Sequence, residues 1–218
     1  MKLGPGEPAA GPWRVESLDA FARSLAREAG TPAGRPRVIA VDGRGGGGKT
    51  ALAQRLHRAM RPAAVVHSDD VAWAHSRFGW DDLMIAGVLE PLHTGNTVHY
   101  RPPAWDRDGR AGHIDVSPDA TTVLIEGVGV SRRALAPFVD VMVWVQSDFA
   151  EAKRRGMDRD MAELGRDVDE ALRLWDEWEA EEVPFLLDDR PWQRAHFIVG
   201  TASALPHDAE TEVVVSRG

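Results

Sequence analysis

Residues 43–50 read Gly-Arg-Gly-Gly-Gly-Gly-Lys-Thr. They stand between an apolar run, Arg37-Val38-Ile39-Ala40-Val41, and a helix-forming run, Ala51-Leu52-Ala53-Gln54-Arg55-Leu56. The segment fits the pattern G-x-x-x-x-G-K-[ST], and the strand–loop–helix order is the setting that pattern requires. A flexible linker is the competing reading, but linkers seldom join a buried strand to an amphipathic helix. Gly43, Gly45, Gly46, Gly47 and Gly48 let backbone N–H groups turn inward around phosphate oxygens without Cβ clashes. The amino terminus of the following helix adds a favourable dipole. In such a loop Lys49 supplies positive charge to the β and γ phosphates, and Thr50 a hydroxyl ligand for Mg²⁺.

The 218 residues suffice for one α/β domain with a sizeable core and a small lid. A net charge of −8 argues against a nucleic-acid-binding surface, yet leaves room for nucleotides, which need only local positive charge. Apolar runs are too short to span a bilayer, and Met1 to Gly6 lacks the apolar core of a signal peptide, so the cytoplasm is the expected location. Cysteine is absent, which excludes disulfides, thiolate metal sites and a cysteine nucleophile.

Residues 1–12, rich in Gly, Pro and Ala, are expected to be disordered. Ser17 caps an expected helix from Leu18 to Ala29, ended by Gly30. Strands are expected at 37–42, 63–67, 122–127, 140–145 and 197–199, and 211–215 reads as an added edge strand. Helices are expected at 49–60, 82–93, 149–161 and 168–181, and residues 101–120 read as one long loop. Alternation of strands and helices points to a parallel sheet covered on both faces. Residues 1–36 are read as a tail and helix, and 37–218 as one domain with a lid at about 150–182.

In open parallel sheets ligands bind at the carboxyl ends of the strands. Asp69 and Asp70 follow the second expected strand, and Glu126 ends the third. Phosphoryl transfer uses such groups, one carboxylate to orient or deprotonate the attacking hydroxyl and one to help hold Mg²⁺. The alternatives are a turn with a helix cap for the aspartates and a solvated strand end for Glu126. The acidic run at Asp176-Glu177 and Glu179 to Glu182 reads as solvated surface. The eight histidines show no metal-ligand spacing, so His67, His99 and His113 read as structural or surface groups.

Around these residues the chain resembles the uridine–cytidine kinase branch of P-loop kinases, over about residues 37–200. Val65-Val66-His67-Ser68-Asp69 looks like the segment that carries that family's catalytic aspartate, which implies this role for Asp69, with Asp70 left as the alternative. Trp80-Asp81-Asp82-Leu83-Met84 is similar to the stretch whose aspartate binds ribose hydroxyls, here Asp81, with Asp82 as the alternative. Gly95-Asn96-Thr97-Val98 and Pro103-Ala104-Trp105-Asp106 resemble Gly-x-x-Val and Pro-x-Tyr-Asp, which places Trp105 where a tyrosine contacts the nucleoside. Leu124-Ile125-Glu126-Gly127 resembles the family's third strand, and Arg159-Asp160 with Gly165-Arg166-Asp167 resembles its two lid motifs.

Arg154, Arg155, Arg159 and Arg166 lie on the expected lid, where guanidinium groups can stabilise the charge spread over a transferring phosphoryl group. A charged, solvated helix face is the plainer reading, strongest for Arg154. Two departures bear on specificity. The family's base-reading histidine has no counterpart after Trp105-Asp106, and Leu174 stands where the family has a glutamine near the base. Trp80, Trp105, Trp175 and Trp178 are candidates for an aromatic pocket around another hydroxylated compound.

The resemblance implies an α/β P-loop NTPase fold, a five-stranded parallel sheet with helices on both faces and a small helical lid. It implies ATP as donor with Mg²⁺, and a small-molecule hydroxyl acceptor, first a nucleoside, then another metabolite or an antibiotic-like compound. Homo-oligomers are allowed; neither nucleic acid nor membrane is an expected partner. Implied catalytic residues are Lys49, Asp69 and Arg159, with Arg155 at the nucleotide, Arg166 at the substrate and Glu126 beside Thr50 at the metal. A nucleotide-dependent switch is the reading from a different class; the Asn/Thr-Lys-x-Asp motif of guanine-reading switches does not occur.

Overall fold

Strand β2 (Arg37–Gly43) has side chains that alternate between two buried faces, and this sets the architecture. Ile39 and Val41 pack on one side with Phe21, Leu25, Leu52 and Leu56. Val38 and Ala40 pack on the other with Trp80, Met84, Val88 and Leu92. A strand apolar on both faces requires helices on both sides of the sheet. The computed structural model describes residues 1–202 and 204–218.

In chain order the elements before the phosphate loop are β1 (Arg14–Ser17), α1 (Leu18–Ala29) and β2. After it come α2 (Lys49–Ala59), β3 (Ala63–His67) and the single turn α3 (Ser68–Val71). Then follow α4 (Asp81–Met84), a π-helical turn (Ile85–Leu89), α5 (Glu90–His93), β4 (Val98–Tyr100), α6 (Pro103–Arg107) and β5 (Ile114–Val116). The remainder is β6 (Thr122–Glu126), β7 (Val141–Gln146), α7 (Phe149–Leu164), α8 (Val168–Asp189), β8 (Phe197–Gly200) and β9 (Glu212–Arg217). No helix among the described residues is long and apolar enough to cross a membrane.

The sheet has seven strands, in the order β1-β9-β8-β7-β2-β6-β3, and not the expected five. Five of them are parallel neighbours, from β8 through β7, β2 and β6 to β3. The additional two are antiparallel: β9 joins β8, and β1 closes the edge against β9, with Arg14 opposite Val215. Strand β1 escaped the sequence reading because its four residues, Arg-Val-Glu-Ser, carry no apolar face. A short, charged strand is what a sheet edge tolerates, since it discourages pairing with another chain.

Two other expectations change. The span 101–120 is not one loop: it contains α6, and β5 pairs antiparallel with β4, Val98 opposite Val116. The helix expected at 82–93 runs from Asp81 to His93 but widens into the π turn at its middle. Gly87 lies in that turn, and a side chain there would strike the ring of Tyr100. Such turns insert one residue and shift the faces that follow.

Residues 1–12 are ordered by several distant contacts, Lys2 N to Asp148 (2.7 Å), Arg44 to the Pro5 carbonyl (2.9 Å) and Ala10 N to Gln146 (3.2 Å) among them, with one buried carboxylate at their centre. Glu7 Oε1 accepts from Trp144 Nε1 at 2.6 Å and from Gln146 Nε2 at 3.0 Å, while Oε2 pairs with Arg44 Nε at 3.2 Å. Composition pointed to disorder because the segment's Gly and Pro content hides anchors that depend on residues far along the chain. The Glu7→Ala variant should lose about 3–5 kcal/mol, since it leaves the Arg44 guanidinium buried with a weakened set of partners. Urea denaturation checks this; a loss below about 1 kcal/mol would mean that the anchor is replaceable.

Candidate active site

Strand β2 ends at Gly43, and α2 begins at Lys49 after Gly48, whose φ of 99° is left-handed. The loop between them is held from three directions. From below, Asp42 is fully buried and accepts from the N–H of Gly43 (2.7 Å), Gly129 (2.8 Å) and Ser131 (2.8 Å), with burial pushing its carboxyl above the usual range. From the amino-terminal segment, Glu7 fixes Arg44. From α8, Glu182 Oε1 accepts from Gly45 N at 2.7 Å, and its second oxygen is 3.7 Å from Arg44 Nη1. Glu182 was read as solvated surface, yet it is 2% exposed because the buried Arg44 and the Gly45 N–H draw it inward.

The Lys49 ammonium donates to the Arg44 carbonyl at 2.8 Å and is largely buried. Thr50 Oγ1 donates to the Glu126 carboxylate at 3.2 Å. Glu126 also accepts from His67 Nδ1 at 2.5 Å, and this hydrogen bond is the main cause of a raised His67 pKa. His67, read as structural or surface, thus sits against the loop's carboxylate. The hydroxyl of Thr50 and the carboxylate of Glu126 form a hard oxygen pair of the kind Mg²⁺ takes, so these residues fit the implied metal. Among the described residues no cluster of three or more His, Asp or Glu side chains forms a metal cage.

The lid is an α-helical hairpin. Asp148 caps α7 by accepting from Ala150 N (3.1 Å) and Glu151 N (3.2 Å), Gly165 ends it in a left-handed turn, and Asp167 caps α8 by accepting from Glu170 N at 2.8 Å. It packs down on the loop. The φ of Gly46 is +67°, and a Cβ there would collide with the Ala152 carbonyl of α7. Gly156 of α7 leaves room for the ring of Trp175 on α8. Gly46→Ala should therefore cost about 1–3 kcal/mol through backbone strain and lift the hairpin off the loop. Thermal melting reads the loss, and an unchanged melting temperature would exclude the contact.

One cavity of about 310 Å³ lies under this hairpin. It brings together Gly45, Gly46, Lys49, Thr50, Asp69, Glu126, Arg159 and Arg166, which are far apart in sequence. Asp69 faces this cavity. Asp70 instead pairs with Arg110, and its carbonyl accepts from Trp105 Nε1 at 2.9 Å. Arg159 and Arg166 are both tethered to Asp160, at 3.0 and 3.2 Å. Gly43, Gly47 and Gly48 shape the loop without lining the cavity.

Three further expected site residues stand outside it. Arg155 does not line the cavity; its Nη2 is buried without a partner among the described residues. Asp81 pairs with Arg132 Nη1 at 3.3 Å. Trp105 is 5% exposed, held in the core with Arg110 over its ring at 3.9 Å. Trp175, Trp178 and Leu174 do line the cavity, while Trp80 is buried beside it.

Sequence reasoning missed Arg44, Arg77, Asp42 and Glu182. The signal for Glu182 was present: Trp175, Trp178 and Glu182 recur at helical spacing, which places the acid on the face that carries the two indoles. Arg77 also lines the cavity, and it pairs with Glu177 (3.6 Å) and Glu181 (2.6 Å) of α8.

A central β2 flanked by parallel β6 and β7, a glycine-rich loop leading into α2 and a helical hairpin packed over that loop define an α/β fold built around a phosphate-binding loop. Solved structures share it. The chain is similar to a "putative fructose transport system kinase" from Silicibacter sp. TM1040, with a TM-score of 0.56, 18% identity, and 72% of this chain and 87% of that chain covered. It is similar to a possible uridine kinase from Bacillus stearothermophilus, with a TM-score of 0.51, 23% identity, and 83% and 96% covered. It is also similar to the YGR205w protein, with a TM-score of 0.52, 10% identity, and 84% and 90% covered. The chain matches no protein-family model, and no curated protein matches its sequence.

Proposed function

We propose that this protein transfers the γ-phosphoryl group of ATP to a hydroxyl of a small molecule. One observation carries the reading: Lys49, Thr50, Asp69, Glu126, Arg159 and Arg166 converge on a single cavity beneath a lid. In this mechanism the loop amides and Lys49 hold the β and γ phosphates. Thr50 and Glu126 would hold Mg²⁺, which would supply positive charge against the phosphate oxygens.

Asp69 orients the acceptor hydroxyl and takes its proton as the oxygen bonds to the γ-phosphorus. The bond from that phosphorus to the β–γ bridging oxygen breaks, and ADP leaves with the electron pair. Lys49, Arg159 and Arg166 offset the charge on the transferring group, and they do so more strongly in a cavity closed to water. Trp175 and Trp178, on α8, supply part of that closure.

The test is ADP release with Mg·ATP across an acceptor panel. The sequence resemblance puts nucleosides first, followed by pantothenate, sugars and hydroxylated antibiotics. Acceptor-stimulated release is the expected result. Slow hydrolysis indifferent to every acceptor, with a partner bound only in one nucleotide state, would overturn the proposal in favour of a switch.

A further inference from the structure

A second cavity, of about 200 Å³, adjoins the first. Asp69, Arg77, Val128 and Trp178 line both, so the two spaces meet at the proposed base. We infer that this second cavity is the acceptor pocket and that it takes a compact hydroxyl compound bearing an oxyanion, carboxylate or phosphate. The inference rests on the transferase reading above and departs from the nucleoside at the head of the acceptor panel.

Arg77 is the one side chain of the polar lining that offers only donors and has a guanidinium at the cavity. The Trp178 indole N–H, buried with no partner among the described residues, lies against Gly45, which lines the first cavity alone. The Trp80 N–H is already used, donating to the Arg77 carbonyl at 2.9 Å. Asp69 is the one carboxylate, and the reacting hydroxyl needs it. His75 and Ser68 can donate or accept, but Ser68 Oγ is turned to Asp69 Oδ1 at 3.5 Å. A nucleobase edge mixes donors with acceptors and needs acceptors opposite it. A carboxylate or phosphate presents acceptors only, and a guanidinium is its best-matched partner.

Three further observations agree. The residues that would read a nucleoside by resemblance are engaged elsewhere, Asp81 with Arg132 and Trp105 with the Asp70 carbonyl. Arg77 is held by Glu177 and Glu181, whose side chains are 46% and 50% exposed and line neither cavity. Such exposed pairs orient a guanidinium while neutralising it weakly. Size points the same way: small-molecule pockets usually run from about 300 to 1,000 Å³, so a cavity of this volume suits a compact acceptor.

The experiment compares matched probes with Mg·ATP: glycerate against glycerol, ribose 5-phosphate against ribose, and uridine. Each is run with wild type, Asp69→Asn and Arg77→Gln, with melting curves to establish that the variants fold. The expected result is kcat/KM for one charged probe about 100-fold above its neutral partner, falling below about tenfold in Arg77→Gln, chiefly through KM. Uridine or a neutral probe turned over as well as the charged ones would overturn this inference and leave the transferase reading standing. So would a charge preference that survives Arg77→Gln. No Asp69-dependent turnover of any of these probes, with ATP still bound, would overturn this inference, and the same result across the whole acceptor panel would overturn the transferase reading as well.

Discussion

The Asp69→Asn variant should lose about 10²- to 10⁴-fold in acceptor-dependent ADP release while binding ATP within a few-fold of wild type. Asparagine has the same shape and keeps a hydrogen-bond acceptor, so it can still orient a hydroxyl. It cannot take the proton. Asp69 also carries little structural duty that would confuse the result, since among the described residues its side chain takes part in one hydrogen bond, the 3.5 Å approach of Ser68 Oγ. Asp70 serves as the internal control. It is bound to Arg110 away from the cavity, and Asp70→Asn should retain most activity. Calorimetry for ATP and steady-state assays with the best acceptor separate the two effects. An Asp69→Asn enzyme with more than a tenth of wild-type turnover would remove this residue from the mechanism.

Lys49→Ala should lower kcat by about 10²- to 10³-fold, the range for removing one charge-stabilising donor from an enclosed site. The ground state carries phosphate charge already, so ATP affinity falls too. The larger effect belongs to the transition state, where charge moves toward the β–γ bridging oxygen. The cost to folding should be smaller. Lys49 donates to the Arg44 carbonyl, and losing that bond costs about 1 kcal/mol. Lys49→Met keeps the aliphatic stem and isolates the charge. A Lys49→Met enzyme with near-normal kcat and raised KM would mean that the ammonium only binds nucleotide.

Strands 37–43, 63–67, 122–126 and 141–146 were legible because strands buried on both faces read as short, continuous apolar runs. The phosphate loop was legible because its glycines, lysine and threonine act within eight consecutive residues. Helix α1 was legible to the residue, because Ser17 and Gly30 mark its ends by local hydrogen bonding and backbone freedom. Asp69 and Glu126 stood out by their place at the carboxyl ends of expected strands, resemblance added Arg159 and Arg166, and all four line one space.

What could not be read was whatever depends on a distant partner. Glu7 looked like part of a disordered tail, and Glu182 like surface, because their partners are distant in sequence: Arg44 lies 37 and 138 positions away, Trp144 and Gln146 are 137 and 139 from Glu7, and Gly45 is 137 from Glu182. Arg77 became a site residue only when α8 folded across it, and Trp105, an apparent ligand contact, became core when the Asp70 carbonyl captured its indole N–H. The chain by itself determined the parallel strands at the centre of the sheet, its phosphate loop and the ends of α1, since periodicity and capping are properties of neighbouring residues. Tertiary structure alone decided which charges are buried, which of two adjacent aspartates faces the cavity and which aromatics line it. A side chain's desolvation and its hydrogen-bond partners are set by atoms brought close in space, and no local pattern records them.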